Sequence, residues 1–194
     1  MMVVGLTGNI GMGKSTVLKA FEDLGATTLN SDQIVAELLD MPMVMARTIT
    51  LLGPEVMKPE GGLDKAKIAS LIFNDDEARA KFEQYLHPLV FERIDDLLRG
   101  SKAPIVIIEV PLLFEASHEI RFSKIITVYS DENVALDRLT AQGLSRDDIV
   151  RRMSCQSPIV DKVRKANYTV DNNGNMTMTK AQVRQIYRVL QSLA

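Results

Sequence analysis

The chain has 194 residues, enough at roughly 100–200 residues per domain for one domain with insertions. Apolar residues make up 46% and charged residues 25%, which excludes a chain that is mainly disordered. Basic and acidic side chains number 23 and 25, for a net charge of −2, so a whole-chain electrostatic grip on nucleic acid is not expected. The one cysteine, Cys155, excludes an intrachain disulfide. The longest apolar stretch, 103–114, is broken by Pro104, Glu109 and Pro111 and is too short to span a bilayer. The start of the chain has no basic leader pattern, so a cytoplasmic protein is expected.

The first element is an apolar strand over 2–6, followed by a glycine-rich turn and a helix over 15–24. A weak strand follows at 26–29. About seventy residues then intervene before the next strand, far more than one crossover needs. This insertion, 33–100, predicts helices over 33–39, 45–52, 64–73 and 77–86, with a turn region marked by Pro54, Pro59, Gly61 and Gly62. His87 before Pro88 predicts a helix end, because the residue before proline is steered out of the α region. The strongest strand is 105–110, and 124–129 follows it. A helix over 134–142 comes next, with Asp131 as its expected cap. A second insertion, 141–165, contains Ser145 three residues before Asp148, a capping-box-like helix start. A last weak strand over 167–170 precedes a helix over 179–193, for which Thr179 and Gln182 are the expected capping box. Val183, Ile186, Tyr187 and Leu190 form its apolar stripe. Short apolar strands alternating with helices predict an α/β fold around a parallel sheet.

Gly8-Asn-Ile-Gly-Met-Gly-Lys-Ser15 fits G-x-x-x-x-G-K-[ST] at every fixed position. A tight turn of small residues aims backbone N–H groups at a polyphosphate, and the helix N-terminus adds a positive field. Lys14 would reach the β- and γ-phosphates, and the Ser15 hydroxyl would hold Mg²⁺. This predicts nucleoside triphosphate binding. The guanine-reading Asn-Lys-x-Asp of a GTPase does not occur. Glu109, ending an apolar run, is placed as a metal-side acid would be. The second insertion is basic, with seven basic residues against three acids over 138–165, and this cluster points to phosphate contacts. Asp32 follows the second strand. Two readings stand for it: an acceptor-side carboxylate at the sheet edge, or an acid that favours the dipole of its helix.

Further motifs follow in order. They are Gly5-Leu-Thr-Gly through Lys14-Ser-Thr16, Asn30-Ser-Asp32, Leu63-Asp-Lys65, Ile72-Phe-Asn-Asp75, Leu86-His-Pro88, Val110-Pro-Leu-Leu-Phe-Glu115, Arg138-Leu139, Arg152-x-x-x-Gln156 and Tyr168-x-x-Asp171-Asn172. With these the chain resembles the dephospho-CoA kinases. The resemblance implies a five-stranded parallel P-loop core over 1–32, 101–137 and 166–194, a helical CoA-binding insertion over 33–100 and a helical lid over 138–165. It implies transfer of phosphate from Mg-ATP to the ribose 3′-hydroxyl of dephospho-CoA. Lys14 and Asp32 would be catalytic. Gly8, Gly11, Met12, Gly13, Lys14, Ser15, Thr16 and Arg138 would bind ATP. Thr7, Asp32, His87, Leu112, Leu113, Arg152 and Gln156 would bind the acceptor. In a helix, Arg152 and Gln156 would share a face.

The chain departs from the family pattern at four places. Asn30 replaces an aspartate, Lys65 an arginine and Glu109 an aspartate, and Gln142 stands where a second arginine is common. No nucleic-acid or membrane partner is expected, and a monomer is. Two other readings stay open: a nucleotide-dependent switch or binding module, and a kinase for another small acceptor.

Overall fold

The computed structural model describes residues 1–194. Its elements in chain order are β1 (Met2–Thr7), α1 (Lys14–Glu22), β2 (Thr27–Asn30), α2 (Ser31–Leu39), α3 (Pro42–Leu52), α4 (Lys65–Asn74), α5 (Asp76–Gly100), β3 (Ile105–Glu109), β4 (Lys124–Tyr129), α6 (Glu132–Ala141), α7 (Arg146–Ser154), α8 (Ile159–Lys165), β5 (Tyr168–Asp171) and α9 (Met176–Leu193). They form two compact units, one of residues 1–30 and 102–194, the other of 31–101. Residues 138–165 belong to the first unit.

In the first unit all five strands run parallel in the order β2-β3-β1-β4-β5. The chain leaves β1 toward β2 and leaves β4 toward β5, on opposite sides. In such sheets ligands bind at the carboxyl edge, where the connections diverge. Every residue of β3 is buried, which explains its unbroken apolar run. The core joins strand residues such as Val4, Leu6 and Ile126 to Phe21 of α1 and to Val183, Ile186, Tyr187 and Leu190 of α9. The predicted stripe on the last helix is therefore its packing face. Phe21 and Tyr187 meet edge to face, with ring centroids 6.2 Å apart, the arrangement that aromatic quadrupoles favour.

Strand bounds differ from expectation by at most one residue, but three helix ends differ for physical reasons. First, α5 runs through Pro88 to Gly100 instead of stopping before it. Proline in a helix interior costs about 3 kcal/mol or more. Phe82, Leu86, Val90, Phe91 and Ile94 are all buried, at near-helical spacing on both sides of Pro88, and this shared apolar face offsets the cost. Second, α9 starts at Met176, capped by Asn175, whose side chain accepts from the Met178 N–H. Thr179 and Gln182 do not cap. The Gln182 carboxamide instead accepts from the Asp171 N–H at 2.9 Å and donates to its carbonyl at 2.8 Å, tying the helix to the end of β5. Third, α7 ends at Ser154, so Arg152 and Gln156 do not share a helical face. Asp131 precedes α6 but makes no side-chain cap bond, whereas Ser145 caps α7 through the Asp148 N–H.

The second unit is helical. Asp64 caps α4 and Asp75 caps α5. Lys65 donates to the carbonyl of Ala36 and pairs with Asp40 at 3.4 Å, a local contact that needs no guanidinium fork. His87 lies half-buried in α5. Burial holds its pKa below the ordinary 6.5, against the raising influence of Glu83 one turn earlier. A base depressed in the folded state leaves stability intact above its unfolded pKa and removes it as pH falls through the folded one. The melting temperature is therefore expected to fall on acidification below pH 6.5, and to fall less in His87→Gln. Parallel pH curves for the two proteins would contradict this.

Candidate active site

The phosphate loop links β1 to α1. Gly13 takes the left-handed conformation at the N-cap of α1, with φ 87°. A Cβ there would come within 2.1 Å of Asn172 Nδ2, and one on Gly8 within 2.2 Å of the Val128 carbonyl oxygen. Only glycine supplies both the backbone angle and the clearance. The loop is thus packed from below by β4 and by the end of β5. No side chain caps α1, so its first-turn N–H groups, unsatisfied within the helix, point to an anion. Lys14 is buried, and its Nζ donates to the Asn9 carbonyl at 3.3 Å.

A cavity of about 460 Å³ opens over this loop, lined by Gly11, Gly13, Lys14, Ser15 and Thr16 and also by Arg138 and Arg152. That volume suits a small ligand. Met12 is buried, and its carbonyl accepts from Asn172 Nδ2 at 3.0 Å. Arg138 donates to the carbonyls of Asn172 at 2.8 Å and Gly11 at 3.4 Å. The basic cluster expected over 138–165 is not one phosphate-facing surface. Arg151 pairs with Asp148, Arg164 lies near Asp161, and Lys162 is buried on Glu115. Arg138 and Arg152 are the members that line the cavity.

The parallel register sets Asn30 beside Glu109 at the carboxyl edge of the sheet. Asn30 Nδ2 donates to Glu109 Oε2 at 3.1 Å, and Ser15 Oγ donates to the two Glu109 oxygens at 3.3 and 3.2 Å. An aspartate at position 30 would set a second carboxylate against Glu109; asparagine presents a donor instead. Two of the four departures are therefore in contact with each other. A hydroxyl and a carboxylate are hard oxygen donors. Mg²⁺ is usually held by one or two such protein ligands and by substrate phosphates, so this pair fits that ion.

Asp32 stands exposed in the first turn of α2, two residues beyond the end of β2. Thr7 and Leu113, expected at the acceptor, are both fully buried. The Thr7 hydroxyl donates to the Pro111 carbonyl at 3.2 Å. Leu113 Cδ1 packs within 2.6 Å of where a Cβ on Gly5 would stand. In this structure both support the Pro111–Glu115 loop from the core side, while Leu112 is only half-buried. Gln156 lies on the phosphate loop, where its Oε1 accepts from the Ile10 N–H at 2.9 Å.

Asn172 supports the phosphate loop, a place the sequence alone did not assign to it. It is buried, and besides holding the Met12 carbonyl it accepts from the Thr179 hydroxyl at 2.9 Å. One carboxamide thus joins the phosphate loop to α9. The signal was its place in the Asp171-Asn172 motif directly after a strand. A buried carbonyl that loses its donor costs ~1–3 kcal/mol, and tenfold in affinity is ~1.4 kcal/mol. Asn172→Ala is accordingly expected to weaken ATP binding about tenfold. Calorimetric titration with a non-hydrolysable ATP analogue checks this, and unchanged affinity in a folded variant would contradict it.

The chain is similar to known proteins along nearly its whole length. The dephospho-CoA kinase family model matches residues 2–178. The dephospho-CoA kinase of Aquifex aeolicus is 34% identical over 189 residues, covering 96% of each chain. That of Moorella thermoacetica is 36% identical over 197 residues, covering 98% of this chain and 93% of the other. A solved structure from Thermus thermophilus superposes with a TM-score of 0.86 at 30% identity, covering 100% of this chain and 98% of that one.

Proposed function

Because this chain belongs to the dephospho-CoA kinase family, we infer that it transfers the γ-phosphoryl group of ATP to the ribose 3′-hydroxyl of dephospho-CoA, the last step of coenzyme A synthesis. The products are coenzyme A and ADP. The observation that carries the reading is the family match over residues 2–178, which spans the phosphate loop and both insertions.

The roles follow from the chemistry of the site. The first-turn N–H groups of α1 and the Lys14 ammonium bind the triphosphate. Arg138 and Arg152 place positive charge along the cavity, where charge grows during transfer. Asp32 accepts the proton of the acceptor hydroxyl, or orients that hydroxyl, as the new O–P bond forms and the bond to ADP breaks. When bound, Mg²⁺ supplies neutralisation of phosphate charge, and Ser15 and Glu109 are the residues that would hold it. Residues 33–100, with His87, take the acceptor, and Leu112 offers it apolar surface. Residues 138–165 act as a lid that excludes water, which keeps ATP from simple hydrolysis. The chain is proposed to work as a cytoplasmic monomer without nucleic acid. Its net charge of −2 fits the lack of a nucleic-acid partner, and no helix is long and apolar enough to cross a membrane.

Coupled ADP release, with and without dephospho-CoA, tests the reading. ADP formation that depends on the acceptor, with a product heavier by one phosphoryl group, is the expected result. ATP binding without acceptor-dependent release would return the switch and the other-acceptor readings to the front.

A further inference from the structure

Lys162 carries a charge that no step above uses. It lies in α8, and its side chain has 0% exposure. Its Nζ sits 2.8 Å from Glu115 Oε1 and donates to the Pro111 carbonyl at 3.2 Å. Burial pulls its pKa below the ordinary lysine value, outweighing the opposite influence of Glu115. Its own carbonyl accepts from the Thr127 hydroxyl of β4 at 3.2 Å, which anchors α8 to the sheet.

A buried ion pair is expensive to desolvate, and well-packed apolar side chains often replace one without loss of stability. Stability is therefore a poor reason for this charge. What the ammonium arranges is a better one. On one side it holds the Pro111–Glu115 loop at both ends, through the Pro111 carbonyl and the Glu115 carboxylate. On the other side, Glu115 Oε1 also accepts from the Ser157 N–H at 2.8 Å. The Ser157 carbonyl accepts from Asn9 Nδ2 of the phosphate loop at 3.1 Å. Gln156, the preceding residue, accepts from Ile10 of the same loop. The phosphate loop and the Pro111–Glu115 loop are thus tied together through one turn, 156–157, and one cation. Glu115 Oε2 is buried with no hydrogen-bond partner, so without Lys162 the carboxylate would be held by the Ser157 N–H with its cation gone.

We propose that Lys162 is a positioning residue for phosphoryl transfer: paired with Glu115, it sets the place of the Pro111–Glu115 loop relative to the phosphate loop. This rests on the reading above, in which that loop borders the acceptor. Misplacing the acceptor by even a small distance lowers transfer while leaving nucleotide binding intact.

The test is the double variant Glu115→Gln/Lys162→Met. It removes both charges and keeps the carboxamide oxygen that Ser157 needs. Kinetics are measured with ATP and dephospho-CoA varied separately, beside thermal melting. The expected result is a folded protein whose kcat/KM for dephospho-CoA falls about tenfold or more, with KM for ATP within about twofold of the parent. The ratio of ADP released to acceptor phosphorylated is expected to rise. A folded variant with unchanged kcat/KM for dephospho-CoA overturns the proposal. So do equal losses toward both substrates. A variant that does not fold overturns it as well, because the pair then serves stability. If the parent protein itself shows no turnover with dephospho-CoA, the functional reading fails before any variant is made, and the two failures stay distinct.

Discussion

Lys14→Ala is expected to lower kcat/KM for ATP by about a thousandfold, in line with the ~10²–10³ lost when one preorganised donor to developing charge is removed. The ammonium lies in the phosphate loop itself and is buried against the Asn9 carbonyl. A charged triphosphate oxygen is a stronger partner for an ammonium than a neutral carbonyl. Removing Lys14 strips the cavity of a cation placed where charge grows during transfer. The fold should tolerate the change, since Lys14 begins α1 rather than packing in the Val17 and Phe21 core. Steady-state kinetics beside thermal melting check this. Activity within about tenfold of the parent would remove Lys14 from the mechanism.

Asp32→Ala is expected to lower kcat by about 10²–10⁴-fold, the usual contribution of a positioned acid or base, with ATP affinity little changed. Asp32 is exposed in the first turn of α2, where a carboxylate favours the helix dipole by ~0.3–1 kcal/mol. That small term separates the two readings of this residue. If Asp32 only favours its helix, alanine lowers the melting temperature slightly and leaves kcat alone. If it acts on the acceptor hydroxyl, kcat falls and the melting temperature barely moves. Asp32→Asn sharpens the comparison, because a neutral amide can still orient a hydroxyl but cannot take its proton.

Motifs close together in sequence were legible before the structure. The strand, the loop of Gly8 to Ser15 and the helix after it form one continuous segment, so their chemistry is written in adjacent letters. The same holds for the apolar stripe of α9 and for the two insertions, which appear as excess length between strands. Local signals misled where distant packing competed with them. Pro88 reads as a helix end, but the buried residues on both sides of it keep α5 continuous. Thr179 and Gln182 read as a cap, yet their side chains are spent on Asn172 and Asp171.

Residues far apart in the chain were joined only by the tertiary structure. The parallel register brings Asn30 to Glu109 across 79 positions, which turns two separate departures into one donor–acceptor pair. Packing of loops and of α8 on the sheet brings Asn172 to Met12 across 160 positions, and Lys162 to Pro111 across 51. The basic cluster of 138–165 was visible as composition, but which cations face the cavity depended on where Asp148, Asp161 and Glu115 lie. By itself the sequence determined the phosphate loop, the alternation of strand and helix and the family. The tertiary structure decided which polar groups are satisfied by one another, because a buried donor or acceptor must find its partner in space, and spacing along the chain does not encode that distance.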